Sequence, residues 1–560
     1  MTQENDAPQV LVVGAGPVGL TVAHELLRRG VRVRLVDAAP GPARTSRALA
    51  THARTLETYD QMGLLERLQP RGRRVQAFTL HQDGTVLTRL GTDYSHLPTR
   101  FPYTVMIDQV ITEEVLRTAV EELGGRVEWG VRLESLSQRD DAVGVRLRGP
   151  ADAVTELTVP WLVGCDGGHS TVRRCLGLRL VGSSSETWLI ADATVDADVP
   201  QDSIHWVRTR RGTVMLVPFP EPGRWRLLDT AEADHADDPD VIGARFSTKL
   251  SAGLGRPVRV QRPTWVSVFT IQQRMIEQMR VGRCFVAGDA AHVHSPASGQ
   301  GMNTGIQDGY NLAWKLAMVV AGRADATVLD SYPAERVPIG RVLLGSTRKA
   351  TAAVQLRNPV LGTVLPLVVR LVNRVPALRG RVQRKIMGEM SALGVSYPGS
   401  PLTVAADPDP DPDPGPGPAP GGRVAQVTAA GALDPGWAQV LVELRDPRWS
   451  LLVGEAAVRA VAELPADVAA WLSVRTVVAS PARVDTAGAA EGTGGAEAAR
   501  HRPLPDPAGR VRADLGLGPR GWLLVRPDGY LAARGDDFSA GSVTGAIPGV
   551  GVARSASSAV

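Results

Sequence analysis

RCFVAGDAAHVHSPASGQGMNTGIQDGYNLAWK, residues 283 to 315, is the stretch whose reading decides the fold. Cys284 to Ala287 is an apolar run of strand type that stops at Gly288-Asp289. A loop almost free of bulky side chains follows, carrying Pro296, Gly299, Gln300 and Gly301. Beyond Met302 and Asn303, apolar residues at Ile306, Tyr310, Leu312, Ala313 and Leu316 recur at helical spacing. Strand, glycine-rich turn and helix in that order let a flat ligand lie against bare backbone. The first helical N–H groups, with the positive end of the helix dipole behind them, favour a group that gains negative charge during its reaction.

Two further stretches have the same shape. Residues 10 to 37, VLVVGAGPVGLTVAHELLRRGVRVRLVD, place Gly14, Gly16, Pro17 and Gly19 between an apolar strand and a helix, and a second strand ends at Asp37. Such glycines permit a tight turn, approach of a pyrophosphate to backbone and close helix–strand packing, while an acid about twenty residues on accepts hydrogen bonds from a ribose hydroxyl. Residues 161 to 177, WLVGCDGGHSTVRRCLG, are an apolar strand ending at Asp166-Gly167, then Ser170, Val172 and Arg173. Between these, Ile107-Asp108-Gln109 leads into a predicted helix from Thr112 to Leu123.

The run GDAAHVHSPASGQGMNTGIQDGYNLAWKLA resembles the second flavin-binding motif of the group A, single-component FAD-dependent aromatic hydroxylases, which are similar to para-hydroxybenzoate hydroxylase and include enzymes that tailor aromatic polyketides. The resemblance implies that Asp289 binds the flavin ribityl chain and that the loop N–H groups face the flavin pyrimidine ring. With it, Pro17 and the later motifs point to FAD more than NAD. In SRALATHARTLETYDQMGLLERL, Arg47 is placed to reach the pyrophosphate or flavin, whereas Arg54 fits a surface or salt-bridging role as well. Gln109 matches a cofactor-contacting glutamine, although a plain helix-leading polar residue is the other reading, and Asp166 and Arg173 match a fingerprint for FAD and transient nicotinamide binding. Arg47, Pro296, Gly299, Gln300 and Gly301 become the flavin-positioning set; Gly288, Met302 and Asn303 join the noncovalent FAD site. Ser298 stands where related polyketide hydroxylases more often carry glycine.

The implied fold is α/β. A Rossmann-type FAD-binding domain is expected over 1–74, 106–181 and 276–398, an inserted antiparallel-sheet substrate domain over 75–105 and 182–275, a proline-rich linker at 399–422 and a thioredoxin-like domain at 423–560. Strand-like runs at Ile204 to Thr209, Thr213 to Pro218, Trp225 to Thr230 and Thr264 to Thr270 read as a sheet over the flavin. Alternation puts Ile204, Trp206 and Arg208 on one face and His205, Val207 and Thr209 on the other, without saying which face roofs the substrate. Trp206, Arg208, Trp225 and Trp265 are the candidate substrate contacts, each equally readable as sheet core, and Phe269 adds to the same aromatic surface.

The linker, ADPDPDPDPGPGPAPGG at 406 to 422, cannot build a core and marks 423–560 as an independent unit. Beyond it, RWSLLVGE, the helix-like EAAVRAVAELPADVAAWL, VRTVVAS and the hairpin GWLLVRPDGYLAAR contain no cysteine, so dithiol exchange is excluded and a structural or oligomerising role, as in a homodimer, is expected. Ser480 to Gly509 reads as a mobile loop and Ser539 to Val560 as a poorly ordered tail.

At 560 residues and 43% hydrophobic composition, several packed cores are affordable. The net charge of +4 comes without an arginine block beside interleaved aromatics, which argues against nucleic acid. No stretch reads as a signal peptide or membrane span, the apolar tract Pro359 to Val372 being broken by Arg370 and read as a buried or amphipathic helix; three cysteines fit a reducing cytoplasm. No nucleophilic triad is legible, and His292 and His294 lack further ligands, so no metal is expected. The cofactor must carry the reaction. By resemblance, NADPH or NADH reduces FAD, and a flavin C4a-hydroperoxide passes one oxygen from O2 to an aromatic small molecule. A polycyclic polyketide is expected. Baeyer–Villiger insertion, hydroxylation of a simple phenol, and a non-catalytic flavin-fold binding protein stay as alternatives.

Overall fold

The computed structural model describes residues 7–46, 48–91, 95, 97–231, 238–295, 299–355, 374, 375, 381, 388, 390–404, 416–479, 502–544, 546, 547, 549 and 550, without the side chains of 185, 186, 346–355 and 544. The fold is mixed α/β. Its first sheet runs in the order Arg280–Val281, Cys284–Val286, Trp161–Gly164, Val10–Val13, Val33–Asp37, Val127–Trp129, and every neighbouring pair but the first is parallel. Parallel strands covered on both faces read as continuous apolar runs, and VLVV at Val10–Val13 is buried throughout. Val10, Val12 and Phe285 pack under the helices Pro17–Leu27 and Gly301–Val320. Leu11, Val13 and Leu162 pack on the opposite side against a three-stranded antiparallel sheet built from Arg132–Gln138, Val143–Arg148 and Val154–Val159.

A nine-stranded sheet stands beside this layer. It includes Val181–Asp196, Ser203–Thr209, Gly212–Pro218, Arg224–Asp229 and Trp265–Met275, close to the expected strands. One pair departs from the antiparallel expectation: Ser203–Thr209 runs parallel to Ala77–Gln82. That hairpin, Ala77–Gln82 with Thr85–Gly91, enters from a distant part of the chain, so no tight turn dictates its direction. The helix Pro239–Leu254 covers one face through Ile242, Phe246 and Leu250 over Val207, Trp225 and Leu227. The other face gathers Trp188, Ile190, Ile204, Met215 and Leu228 with Leu49 and Met106, which lie at a small separate sheet of Ala50–Thr51, Thr104–Met106 and Arg73–Val75.

The C-terminal sheet runs Arg502–Pro505, Leu472–Val478, Trp449–Gly454, Trp522–Val525, Leu531–Gly535, with the first three strands parallel and the last two forming the expected antiparallel hairpin about Asp528-Gly529. The expected helix across EAAVRAVAELPADVAAWL is not continuous: Val458–Val461 is one short turn and Ala466–Ala470 a 3-10 turn, because Pro465 lacks the N–H a helix would need there. Part of the tail expected to be poorly ordered, Ser539 to Val560, forms structure, while 551–560 lie outside the described residues. Ala540–Thr544 is helical, and Val543, Ile547 and Val550 are buried.

This unit does not stand alone, contrary to expectation. Trp314 and Met318 of the helix Gly301–Val320 share one core with Trp449, Leu451 and Leu524, and Trp314 meets Trp449 edge-on at 5.5 Å. The linker ends are pinned as well: Val404 N–H donates to Ala532 O at 2.8 Å and Gly421 N–H to Leu531 O at 2.7 Å. Residues 405–415, the tract Pro359 to Val372 and 480–501 lie outside the described residues, and the end of the loop expected over Ser480 to Gly509 is instead the strand Arg502–Pro505, paired with Leu472–Val478. Among the described residues no helix is long and apolar enough to cross a membrane.

Candidate active site

Three strand ends meet at one edge of the parallel sheet. Gly14 N–H donates to Val36 O at 2.8 Å, Cys165 N–H to Val13 O at 2.7 Å and Ala287 N–H to Gly164 O at 3.0 Å, so the three glycine-rich turns lie side by side. The carboxyl ends of parallel strands are where open α/β sheets bind ligands. Each glycine of the first turn has a separate steric reason. A Cβ on Gly14, which has φ +103°, would fall 2.3 Å from Cys165 O, and one on Gly19 would fall 1.8 Å from Gly14 O. Gly16 faces open space, with nothing within 4 Å of such an atom. That is the cradle a pyrophosphate needs: a closed turn, a tightly seated helix, and one bare backbone face between them. Pro17 opens the helix, where its missing N–H costs nothing. Asp37 accepts from Ala15 N–H at 2.6 Å and Ala39 N–H at 2.7 Å, which fixes its carboxylate at the mouth of the turn.

The second and third turns are braced against each other. Asp166 accepts from Ser170 Oγ, Thr171 N–H and Val172 N–H and so caps the helix Thr171–Cys175. Arg173 donates to Gly168 O at 2.8 Å and Ala290 O at 3.0 Å, tying the Asp166 turn to the Asp289 turn. Asp289 is exposed at the end of its turn, next to buried Gly288 and Ala290. Gly288, φ +62°, lies against Val18, and Gly305 and Gly309 bring the helix Gly301–Val320 onto Val18 and Val22.

The loop into that helix closes on the strand Ala50–Thr51. A Cβ on Gly299 would lie 2.9 Å from Ala50 Cβ. Asn303 donates to Ala50 O and Gly299 O, both at 2.8 Å, and accepts from His52 N–H at 2.9 Å. Gln300 is the buried N-cap residue, while Gly301 and Met302 are half-buried on the first turn. Pro296 and Ser298 lie outside the described residues, as does Arg47. The neighbours of Arg47 are held: Ala48 N–H donates to Gln109 Oε1 at 3.0 Å, and Gln109 N–H donates to Ser46 Oγ at 3.0 Å. Gln109 is itself the first residue of the helix Gln109–Glu122, so the helix begins earlier than the sequence suggested, capped by Asp108.

Beneath the loop lies a buried ionic centre that the sequence reading missed. Asp308 accepts from Gly288 N–H at 3.2 Å, His292 Nε2 at 2.6 Å and Arg336 Nε at 2.7 Å. Burial works against its charge, yet Arg336 and His292 outweigh it and hold the carboxyl below its usual range. Burial likewise pushes the His294 imidazole down to about 3, with His292 adding to the effect. Nothing local in the sequence marks Asp308, because its main partner is 28 residues away. Among the described residues no group of three or more metal-ligating side chains occurs.

The flavin loop faces one side of the nine-stranded sheet. Trp206, Trp265 and Phe269 are half-buried on the side of the sheet that also gathers Leu49 and Ala50. Arg208 follows Trp206 on the same face and is half-buried, its Nη1 3.5 Å from Gln82 Oε1. Trp225 is a correction to the sequence reading. It is 1% exposed on the opposite face, in the core beneath Pro239–Leu254 and edge-on to His205 at 5.6 Å, so it cannot touch a ligand at the flavin. Its neighbour Arg226 does lie on the flavin side, buried, donating to both oxygens of Asp192 at 2.8 Å and to Ser46 O at 2.6 Å. The sheet and the segment at Ser46 are thereby joined by one side chain. Arg54, left open by sequence, is salt-bridging: it pairs with Glu57 at 3.0 Å and donates to Asp528 O.

Known proteins share this architecture. A family profile described as "FAD binding domain" matches residues 7–347. The chain is 51% identical over 535 residues to 6-methylpretetramide 4-monooxygenase of Streptomyces rimosus, covering 96% of this chain and 92% of that one. It is 30% identical to pentachlorophenol 4-monooxygenase of Sphingobium chlorophenolicum, covering 94% and 93%. The solved structure of aklavinone-11 hydroxylase with FAD and aklavinone superposes with a TM-score of 0.71 at 25% identity, over 97% of this chain and 99% of that one. The chain therefore belongs to the FAD binding domain family, and within it to the FAD-dependent monooxygenases.

Proposed function

We propose that this protein hydroxylates a fused-ring aromatic polyketide, with NADPH or NADH as reductant and O2 as the oxygen source, in the biosynthesis of an antibiotic-type metabolite. The observation that carries the substrate class is the aromatic wall of Trp206, Trp265 and Phe269, continuous with Leu49 and Ala50 beside the loop Gly299–Gly301. Flat, multi-ring ligands gain most from such surfaces. The similarity to a monooxygenase named for 6-methylpretetramide, along nearly the whole chain, supports the same class.

Bound FAD supplies the redox chemistry and the activated oxygen. The chain holds and orients it. Gly16 leaves room for the pyrophosphate, Asp289 would hold the ribityl chain, and the N–H groups that open the helix Gly301–Val320 would favour negative charge on a flavin placed against them. Asn303 keeps those N–H groups aimed by locking Gly299 to Ala50. Arg208 is the polar group of the wall able to meet a substrate oxygen.

The domain division supported by the sheets is a discontinuous FAD-binding domain over 1–74, 106–181 and 276–398 and a substrate domain over 75–105 and 182–275. The mixed five-stranded C-terminal sheet, three parallel strands closed by an antiparallel hairpin, supports a thioredoxin-like domain without redox cysteines over 423–560. A homodimer in the cytoplasm remains the assembly and compartment proposed.

The test is NADPH and NADH oxidation by the FAD-loaded protein with a panel of simple phenols and tetracyclic polyketides, with products identified by mass and NMR. Coupled oxidation with a tetracycle and a new phenolic carbon supports the proposal. Fast coupled turnover of simple phenols alone, or a new lactone carbonyl, overturns it.

A further inference from the structure

The C-terminal domain has no cysteine, yet a set of buried charges lies where it meets the helix Gly301–Val320 and the residues after it. Arg526 donates to both oxygens of Glu335 at 2.7 and 2.9 Å and to both oxygens of Asp528 at 3.0 and 2.6 Å. Lys315 Nζ donates to Glu335 at 2.8 Å and to Asn311 Oδ1 at 2.9 Å, and Trp314 Nε1 donates to Asp528 at 3.2 Å. The side chains of Arg526, Glu335, Lys315 and Asp528 are all 3% exposed or less. Asn311, Trp314 and Lys315 belong to the helix that begins at the flavin loop.

Glu335 is followed in its helix, Ser331–Gln355, by Arg336, and the two side chains serve different neighbours. Arg336 donates through Nε to Asp308 at 2.7 Å, through Nη2 to Thr304 O at 3.2 Å and through Nη1 to Tyr397 Oη at 3.0 Å. Tyr397 in turn packs its ring 4.6 Å from that of Tyr530, and the Arg526 guanidinium lies over both rings at 5.0 and 5.7 Å. At the other end of the series Asp308 accepts from Gly288 N–H and His292, the residues on either side of Asp289. A buried path thus runs from the C-terminal hairpin to the turn that presents Asp289, first through the packing of the Tyr397 ring on Tyr530 and Arg526 and then through hydrogen bonds that join Tyr397, Arg336, Asp308 and Gly288. Buried ion pairs are a poor way to gain stability, since apolar residues of similar volume commonly do as well or better. What directional charged hydrogen bonds add is position.

We propose that the C-terminal domain is a positioning element of the FAD site, acting through Tyr397 and Arg336 on Asp308, which holds the Gly288–His292 turn in the geometry that presents Asp289. This rests on the reading of Asp289 as the ribityl-binding residue. Tyr397 and Arg336 touch no cofactor. They hold Asp308, and Asp308 holds the backbone N–H of Gly288.

The experiment uses full-length apoprotein reconstituted with FAD, and reads the FAD dissociation constant by fluorescence, the visible circular dichroism of the bound flavin, and the thermal midpoint of the apoprotein. Four variants are compared: Tyr397→Phe, Arg336→Lys, Asp289→Ala and Trp437→Phe. The last removes the Trp437 Nε1 bond to Asp514 in the same domain, away from the path. Tyr397→Phe is expected to weaken FAD about tenfold, equivalent to about 1.4 kcal/mol, and to change the flavin dichroism, with an apoprotein midpoint within about 2 °C of wild type. Arg336→Lys should weaken FAD further. Trp437→Phe should lower the midpoint and leave FAD affinity and dichroism unchanged. Wild-type affinity and dichroism in Tyr397→Phe and Arg336→Lys, with Asp289→Ala impaired, overturn this proposal alone; loss of FAD in Trp437→Phe in proportion to its stability overturns it too. Wild-type FAD binding by Asp289→Ala overturns the underlying reading instead.

Discussion

Arg526 and Glu335, 191 residues apart in sequence, form a two-pronged ion pair at 2.7 and 2.9 Å with neither side chain more than 1% exposed. Separating them would leave a carboxylate and a guanidinium in the protein interior. The C-terminal sheet and the FAD-binding helices are therefore expected to unfold together. Arg526→Ala should cost about 3–5 kcal/mol, because it strands Glu335 and Asp528 without their main cation. Urea unfolding followed by fluorescence and by far-UV dichroism should show a single transition in the wild type, shifted in the variant; two separate wild-type transitions would contradict this coupling.

Gly16 and Gly19 should separate cofactor binding from folding. Gly16 has φ −73°, a value any residue adopts, and open space where a Cβ would go. Gly16→Ala is expected to leave the apoprotein as stable as wild type, within about 0.5 kcal/mol, and to bind FAD at least roughly tenfold more weakly, a loss of about 1.4 kcal/mol. Gly19→Ala drives a Cβ to 1.8 Å from Gly14 O. It should destabilise the apoprotein itself by about 1–3 kcal/mol or more. Titration of FAD into each apoprotein, with a denaturation curve beside it, distinguishes the two.

The two faces of the nine-stranded sheet give a matched pair. Trp225→Ala empties a site that is 1% exposed in the helix-side core and should cost about 3–5 kcal/mol in stability. Trp206→Ala changes a half-buried residue of the flavin-side wall and should raise KM for the aromatic substrate with a smaller loss of stability. If Trp225→Ala were stable and impaired in substrate binding, the assignment of faces would be reversed.

Acid should weaken the nine-stranded sheet in a defined window. Burial, with His205 and Arg256 adding to it, lowers His81 from 6.5 to about 4. The unfolded chain therefore takes up a proton at this residue as pH falls through 6.5, whereas the folded chain resists it until about 4. Stability due to neutral His81 is complete above pH 6.5 and is lost as pH falls toward 4. Urea midpoints measured between these limits should fall with pH, and His81→Gln should flatten the slope. An equal slope in the variant would assign the effect to other groups.

The glycine-rich turns were legible in the sequence because their constraints are short-range. Gly19 is set by its approach to Gly14 O within one strand–turn–helix unit, and the helix after Gly301 by the period of its own apolar residues, whereas the neighbour that closes off Gly14 is Cys165 O at the end of another strand. The same locality explains why strand positions in the nine-stranded sheet could be read closely. It also explains where the reading stopped. Alternation assigns Trp206 and Trp225 to faces of their own strands but carries no sign, and the helix Pro239–Leu254, packing on one side, decided which face was left to meet Leu49 and Ala50. The Pro-rich linker suggested a detached C-terminal unit, since composition reports on the linker and says nothing of the surfaces it joins. Those surfaces meet through Trp314, Trp449, Glu335 and Arg526. Asp308 and Arg336 lay unrecognised for a related reason: each is an ordinary polar residue on an amphipathic helix until tertiary packing excludes water from both. At that point an unpaired charge would be too costly to keep, and the pair became the support beneath the Asp289 turn.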